Sequence, residues 1–149
     1  MSTNPSLAYK DLRGYLDAVD KLGELRIVDG ADWDLEVGAI TEVAARTAKP
    51  KVVLFDNIKG YPKGFRVVTN PVCSPATTAL AFGLDPRLTG LEIIRAWKEK
   101  LGSQKPIKPM EVSSGAITEN VDSGDKVDLL KFPTPRWHED DGGRYIGTG

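Results

Sequence analysis

Phe132-Pro-Thr-Pro-Arg-Trp-His-Glu-Asp-Asp-Gly-Gly-Arg-Tyr-Ile-Gly-Thr-Gly149 is the stretch on which the reading of this chain turns. Pro133 and Pro135 fix their own φ and push Phe132 and Thr134 toward extended geometry. An acidic run, Glu139-Asp140-Asp141, leads into Gly142-Gly143, a pair open to backbone angles that other residues avoid. Arg144-Tyr-Ile-Gly-Thr148 then reads as a strand just beginning. A strand start without a closing turn implies a longer protein, whose later strands complete the sheet.

Upstream, helical and strand patterns alternate. Leu12, Tyr15, Leu16, Val19 and Leu22 recur at three- and four-residue steps and predict a helix ending at Gly23. Glu24-Leu-Arg-Ile-Val28 alternates as a strand does. Asp34 predicts the N-cap of a second helix, through Leu35, Ala39, Ile40, Val43 and Ala44, closing near Lys49-Pro50. Lys51–Phe55 and Phe65–Val68 read as strands, with the Lys59–Gly64 turn between them. Ser74-Pro75 combines an N-cap with a proline at the first helical position, and that helix can end at Gly83. Thr89-Gly-Leu-Glu92 is a capping-box pattern. It opens a helix expected to turn Leu91, Ile94, Trp97 and Leu101 inward and to stop at Gly102. Beyond Ser103 the texture changes: Lys105-Pro-Ile-Lys-Pro109 is an extended linker, and Met110–Val121 reads as short strand-like pieces. The fold class is therefore α/β, or α+β, with a small mixed sheet and flanking helices. Residues 1–102 form one domain; 103–149 are a linker and the start of the next.

The 20 basic and 21 acidic side chains give a formal net charge of -1. That balance carries no electrostatic footprint for nucleic acid or for an anionic membrane. Cys73 is the sole cysteine, which excludes an intrachain disulfide and fits a reducing, cytoplasmic setting. No apolar run reaches the length of a membrane span, and Met1-Ser-Thr-Asn-Pro5 lacks the basic and apolar regions of a signal peptide.

Few side chains point to chemistry. His138, the only histidine, stands beside adjacent carboxylates, which on an extended chain point to opposite sides and do not converge on one metal. Its expected role is a hydrogen bond to the turn that it precedes. Asp141 is expected to accept backbone N–H bonds from the Gly142-Gly143 turn, with Glu139 and Asp140 solvated. A lone glycine pair with no helix start after it is a poor phosphate cradle. Cys73 precedes a helix start, but no histidine follows nearby to activate it, so it reads as a small packed thiol. Glu36 and Arg46 stand too far apart on their helix to pair. The basic stretch Arg95, Lys98, Lys100, Lys105, Lys108 lacks exposed aromatics for stacking bases and reads as a solvated flank. Trp33 and Trp137 are expected packing anchors.

The motif Pro133-x-Pro135-x-x-His138-x-x-Asp141-Gly142-Gly143-x-Tyr145-Ile146 resembles the segment leading into the cofactor domain of UbiD-type decarboxylases. Asp11-Leu-Arg13, Gly23-Glu-Leu25, Leu35-Glu36-x-x-Ala39-Ile40, Leu54–Tyr61 and Gly124–Leu129 fall in that family's order. The resemblance covers nearly the whole chain. It implies that the parent enzyme adds or removes CO2 on aromatic, heteroaromatic or α,β-unsaturated acids. The cofactor so implied is prenylated FMN, supplied by a flavin prenyltransferase and held with Mn2+ and K+ in a split-barrel domain. A homo-oligomer is implied for the full-length parent. The family's metal ligands and its Glu–Arg–Glu proton network lie beyond the double-glycine strand, so no catalytic, cofactor-binding or metal residue is assigned to residues 1–149. Thr148 alone, by its matching position, is implied to line the active site, its hydroxyl able to bond a carboxylate or the flavin edge. The chain alone is expected to bind no prenylated FMN tightly and to be inactive. The alternative reading is a non-catalytic domain or subunit that docks on a partner and covers its active site.

Overall fold

The computed structural model describes residues 9–146. A three-stranded sheet, ordered β1-β2-β3, carries four helices. Strand β1 (Leu25–Asp29) runs parallel to β2 (Val52–Asp56), with helix α2 (Glu36–Ala45) crossing between them; β3 (Val67–Thr69) returns antiparallel to β2. Helix α1 (Leu12–Lys21) precedes the sheet, and α3 (Pro75–Ala81) and α4 (Gly90–Ser103) follow it. This is the mixed α/β architecture that the alternating patterns predict.

The central strand explains why the fold closes. Val52 to Phe55 is a continuous apolar run, and the two-residue period of a strand sends alternate side chains to opposite faces. Val52 and Leu54 pack with Tyr15, Leu16, Val19 and Leu80 from α1 and α3. Val53 and Phe55 pack with Ala31, Val37 and Ile58, and half-buried Trp33 and Trp137 close that second core. Tyr15 ties the first core to the loop before α3, its hydroxyl donating to the Pro71 carbonyl at 2.5 Å. Burial pushes that phenol up to about 12. Cys73 packs against the same core, and its thiol is likewise raised by burial, as expected of an inert, packed cysteine.

Several expectations need correction. Asp34 does not cap α2: Leu35 holds the N-cap place, at φ 69°, and offers no side-chain acceptor. The Glu36 amide donates to the Asp34 carbonyl at 2.9 Å, so Leu35 sits at the centre of a γ-turn of the strained hand. The helix then stops at Ala45, short of Lys49-Pro50. Strand β3 is shorter and later than Phe65–Val68. Helix α4 begins at the expected Thr89 cap, where the Glu92 carboxylate accepts from the Thr89 amide at 2.8 Å. Its buried residue, however, is Ile93; Leu91, Ile94 and Leu101 lie exposed, and the helix passes through Gly102 to Ser103. Trp97 stacks on Phe82 with ring centroids 4.3 Å apart, which rotates α4 away from the expected face. Met110–Val121 forms no strand: among the described residues the helical elements after α4 are 3-10 turns, at Ala116–Thr118, Gly124–Lys126 and Leu129–Lys131. Arg144–Ile146 is likewise not in a strand, and the rest of the expected strand start lies outside the described residues.

Candidate functional site

The segment with the richest sequence signal, Phe132 to Ile146, returns to the body as a strap across the start of α2. Pro133, Thr134 and Pro135 are buried, as the rigid Pro-x-Pro pattern allows. Arg136 then makes one bridge of parallel-sheet type with Asp34: its amide donates to the Trp33 carbonyl at 3.1 Å, and its carbonyl accepts from the Leu35 amide at 2.9 Å. The Arg136 Nε donates to Asp34 Oδ1 at 2.6 Å. That hydrogen bond holds the guanidinium charged and raises its pKa. Asp34, expected as a helix cap, is instead the anchor of the strap. The strained Leu35 turn presents both the Asp34 carboxylate and the Leu35 N–H to it.

Next along the strap, Trp137 lies directly over Gly38 of α2. A Cβ on Gly38 would lie 2.7 Å from the Trp137 Cα and 2.9 Å from its carbonyl carbon, so only glycine admits the strap here. The expected turn follows, with one difference. Asp141 Oδ2 accepts from the amides of Trp137 and His138, each at 3.0 Å, rather than from Gly142-Gly143. His138 joins the turn through its backbone. Its ring stands exposed, 3.8 Å from a Glu42 carboxylate oxygen and 3.9 Å from one of Asp141.

Arg144 closes the strap. Its guanidinium lies 3.4 Å from the centre of the Trp33 ring, a cation–π stack, and donates to the Tyr61 hydroxyl. Tyr61 in turn donates to the Leu130 carbonyl at 3.2 Å, and the Tyr145 amide donates to the Pro135 carbonyl at 3.2 Å. Trp33 and Trp137 are thus the packing anchors that the sequence suggested. The sequence reading missed Asp34, Gly38 and Arg144 as strap contacts; a glycine inside a helical pattern at residue 38 was the one available signal.

Among the described residues no three His, Cys, Asp or Glu side chains gather where they could hold a metal ion. The described residues thus supply no ligand set through which a metal step could be derived. Thr148 lies outside the described residues. Glu36 and Arg46 do not meet, as expected; Glu36 faces Lys59 at 3.5 Å and Arg46 pairs with Glu42. What the described contacts do is hold residues 132–146 against the start of α2.

Comparison with known proteins gives this geometry a setting. The model of the 3-octaprenyl-4-hydroxybenzoate carboxy-lyase N-terminal domain matches residues 16–97, and that of the carboxy-lyase Rift-related domain matches residues 108–149. The chain is 38% identical to pyrrole-2-carboxylic acid decarboxylase of Pseudomonas aeruginosa over 146 residues, covering 93% of this chain and 29% of that protein. It is 34% identical to ferulic acid decarboxylase 1 of Saccharomyces cerevisiae over 155 residues, covering 97% of this chain and 30% of that one. The fold superposes on vanillic acid decarboxylase of Sedimentibacter hydroxybenzoicus. In the closed form the TM-score is 0.80 at 30% identity, over 93% of this chain and 29% of that one. In the open form it is 0.77 at 31% identity, over 93% and 30%. The chain thus spans about 30% of the length of the relatives it matches. Both family models, these identities and the shared fold agree: the chain belongs to the UbiD family of carboxy-lyases.

Proposed function

We propose that the chain is the N-terminal portion of a decarboxylase that reversibly and non-oxidatively adds or removes CO2 on an aromatic, heteroaromatic or α,β-unsaturated carboxylic acid. Residues 1–102 form its N-terminal α/β domain. Residues 103–149 are the linker and the start of the cofactor domain. The relatives' names, which cover a pyrrole carboxylate, ferulate and vanillate, support that substrate class. Prenylated FMN, when bound, supplies the electron sink that stabilises the carbanion-like carbon left as CO2 departs. The cofactor's prenyltransferase, its Mn2+ and K+, and the homo-oligomeric, cytoplasmic setting belong to the same proposal.

One observation carries the division of labour. From Ile107 to Phe132, large apolar side chains stand exposed, with Ile107 94%, Ile117 93% and Met110 82% accessible. So many exposed large apolar side chains in one arm support its being covered by other parts of the parent protein. Residues after Gly149 provide that cover in this proposal, together with the catalytic and metal-binding groups. The contribution of residues 9–146 is to anchor the arm at both ends, through α4 and through the strap. By its matching position in the family, Thr148 is proposed to line the active site, its hydroxyl able to bond a carboxylate or the flavin edge.

The second reading, a separate non-catalytic subunit that covers a partner's active site, uses the same apolar arm. Intact mass and flavin absorbance of the natively purified protein separate the two. A mass near three times 16.2 kDa, with bound flavin, supports the enzyme. A 16.2 kDa polypeptide without flavin, found tightly associated with another chain, supports the subunit.

A further inference from the structure

A cavity of about 280 Å³ opens between the first turn of α1 and the β2–β3 loop, on the opposite core from the strap. Its floor is apolar, made by Leu16 and Leu54, each only 7% exposed, with half-buried Val68 beside them. Two cations, Arg13 and Arg66, stand at its wall. Neither guanidinium makes a hydrogen bond or ion pair among the described residues. The one acid in the lining, Asp11, has Oδ1 committed to the Gly14 amide at 2.8 Å, as the cap of α1. Residues 1–8 contain no Asp or Glu that could neutralise the pair.

Two guanidinium forks over a greasy floor complement one kind of solute: a planar oxyanion head on a small apolar body. The volume falls just under the usual range of small-ligand pockets and admits a single ring. We propose that this cavity is a binding site for a small amphiphilic anion, with Arg13 and Arg66 gripping the head and Leu16, Leu54 and Val68 receiving the body. None of the residues lining this cavity belongs to the strap.

The test is isothermal titration of the 149-residue chain with benzoate, phenyl phosphate, benzyl alcohol and inorganic phosphate. Saturable binding of benzoate or phenyl phosphate is expected, and which of the two is tighter identifies a carboxylate or a phosphate head. Benzyl alcohol and inorganic phosphate should each bind at least tenfold more weakly, because each lacks one half of the recognition. Arg13→Gln and Arg66→Gln should each weaken the preferred probe at least tenfold while leaving the circular dichroism unchanged. Absence of saturable binding by both aryl anions, equal binding of inorganic phosphate, or binding unaltered in the two variants overturns the proposal.

Discussion

Gly38→Ala is the sharpest probe of the strap. In an ordinary helix interior the change should stabilise by about 0.5–1 kcal/mol, since alanine loses less backbone entropy than glycine. Here the added methyl would run into the Trp137 carbonyl oxygen and lie 2.7 Å from the Trp137 Cα. Backbone cannot yield as a flexible side chain does, and such overpacking costs roughly 1–3 kcal/mol. If the strap lifts instead, it forfeits the two backbone hydrogen bonds around Arg136, worth about 1 kcal/mol each, and the Asp34 contact. Either route leaves a net loss of about 1–2 kcal/mol, or roughly 2–8 °C in Tm for a chain of this length. Gly102→Ala is the matched control, because a methyl there meets nothing within 4 Å and should raise stability by up to about 1 kcal/mol. Chemical denaturation gives the two signs, and hydrogen exchange at the Leu35 amide, bonded to Arg136 in the strap, reports whether the strap has lifted. A Gly38→Ala protein as stable as the parent, with Leu35 protection intact, refutes the reasoning.

Other outcomes follow from the same geometry. A double-mutant cycle on Asp34→Ala and Arg136→Ala should give a small favourable coupling that weakens with added salt, because both side chains are partly exposed. Tyr15 is neutral in the fold and its phenol is pushed up to about 12, chiefly by burial. The raised value means its stabilisation is whole below about pH 10 and is lost as pH rises from 10 to 12; thermal melts should show that decline, and Tyr15→Phe should remove it. Arg87 holds the Asp85 carboxyl down to about 2, so that contact survives above the ordinary carboxylate range and fails as pH falls through about 2. Carbon-detected titration should find Asp85 raised toward the ordinary range in Arg87→Gln, with the residue-87 amide still holding it somewhat low.

Much of the fold was legible because local signals were consistent with tertiary demand. Ser74-Pro75 and Thr89–Glu92 carry their helix starts in their own side chains, and Val52–Phe55 shows a doubly buried strand by being apolar throughout. Failures came where a distant segment decided the outcome. Asp34 reads as a cap until Arg136, far along the chain, claims its carboxylate. Helix α4 reads as presenting Leu91, Ile94 and Leu101 to the core until the Phe82–Trp97 stack sets its rotation. Met110–Val121 has strand-like composition but no neighbouring strand to pair with among the described residues. The strap was legible as a motif and as a family resemblance. Its partners were not, because cation–π stacking of Arg144 on Trp33 leaves no spacing in sequence.

The central claim is that residues 1–149 position the chain for chemistry performed by groups that follow. CO2 release from pyrrole-2-carboxylate, ferulate and vanillate, measured with prenylated FMN and Mn2+ for the natively purified protein and for residues 1–149 side by side, tests it most directly. The account predicts turnover of at least one acid by the native protein and none by residues 1–149. Steady turnover by the 149-residue chain alone contradicts it.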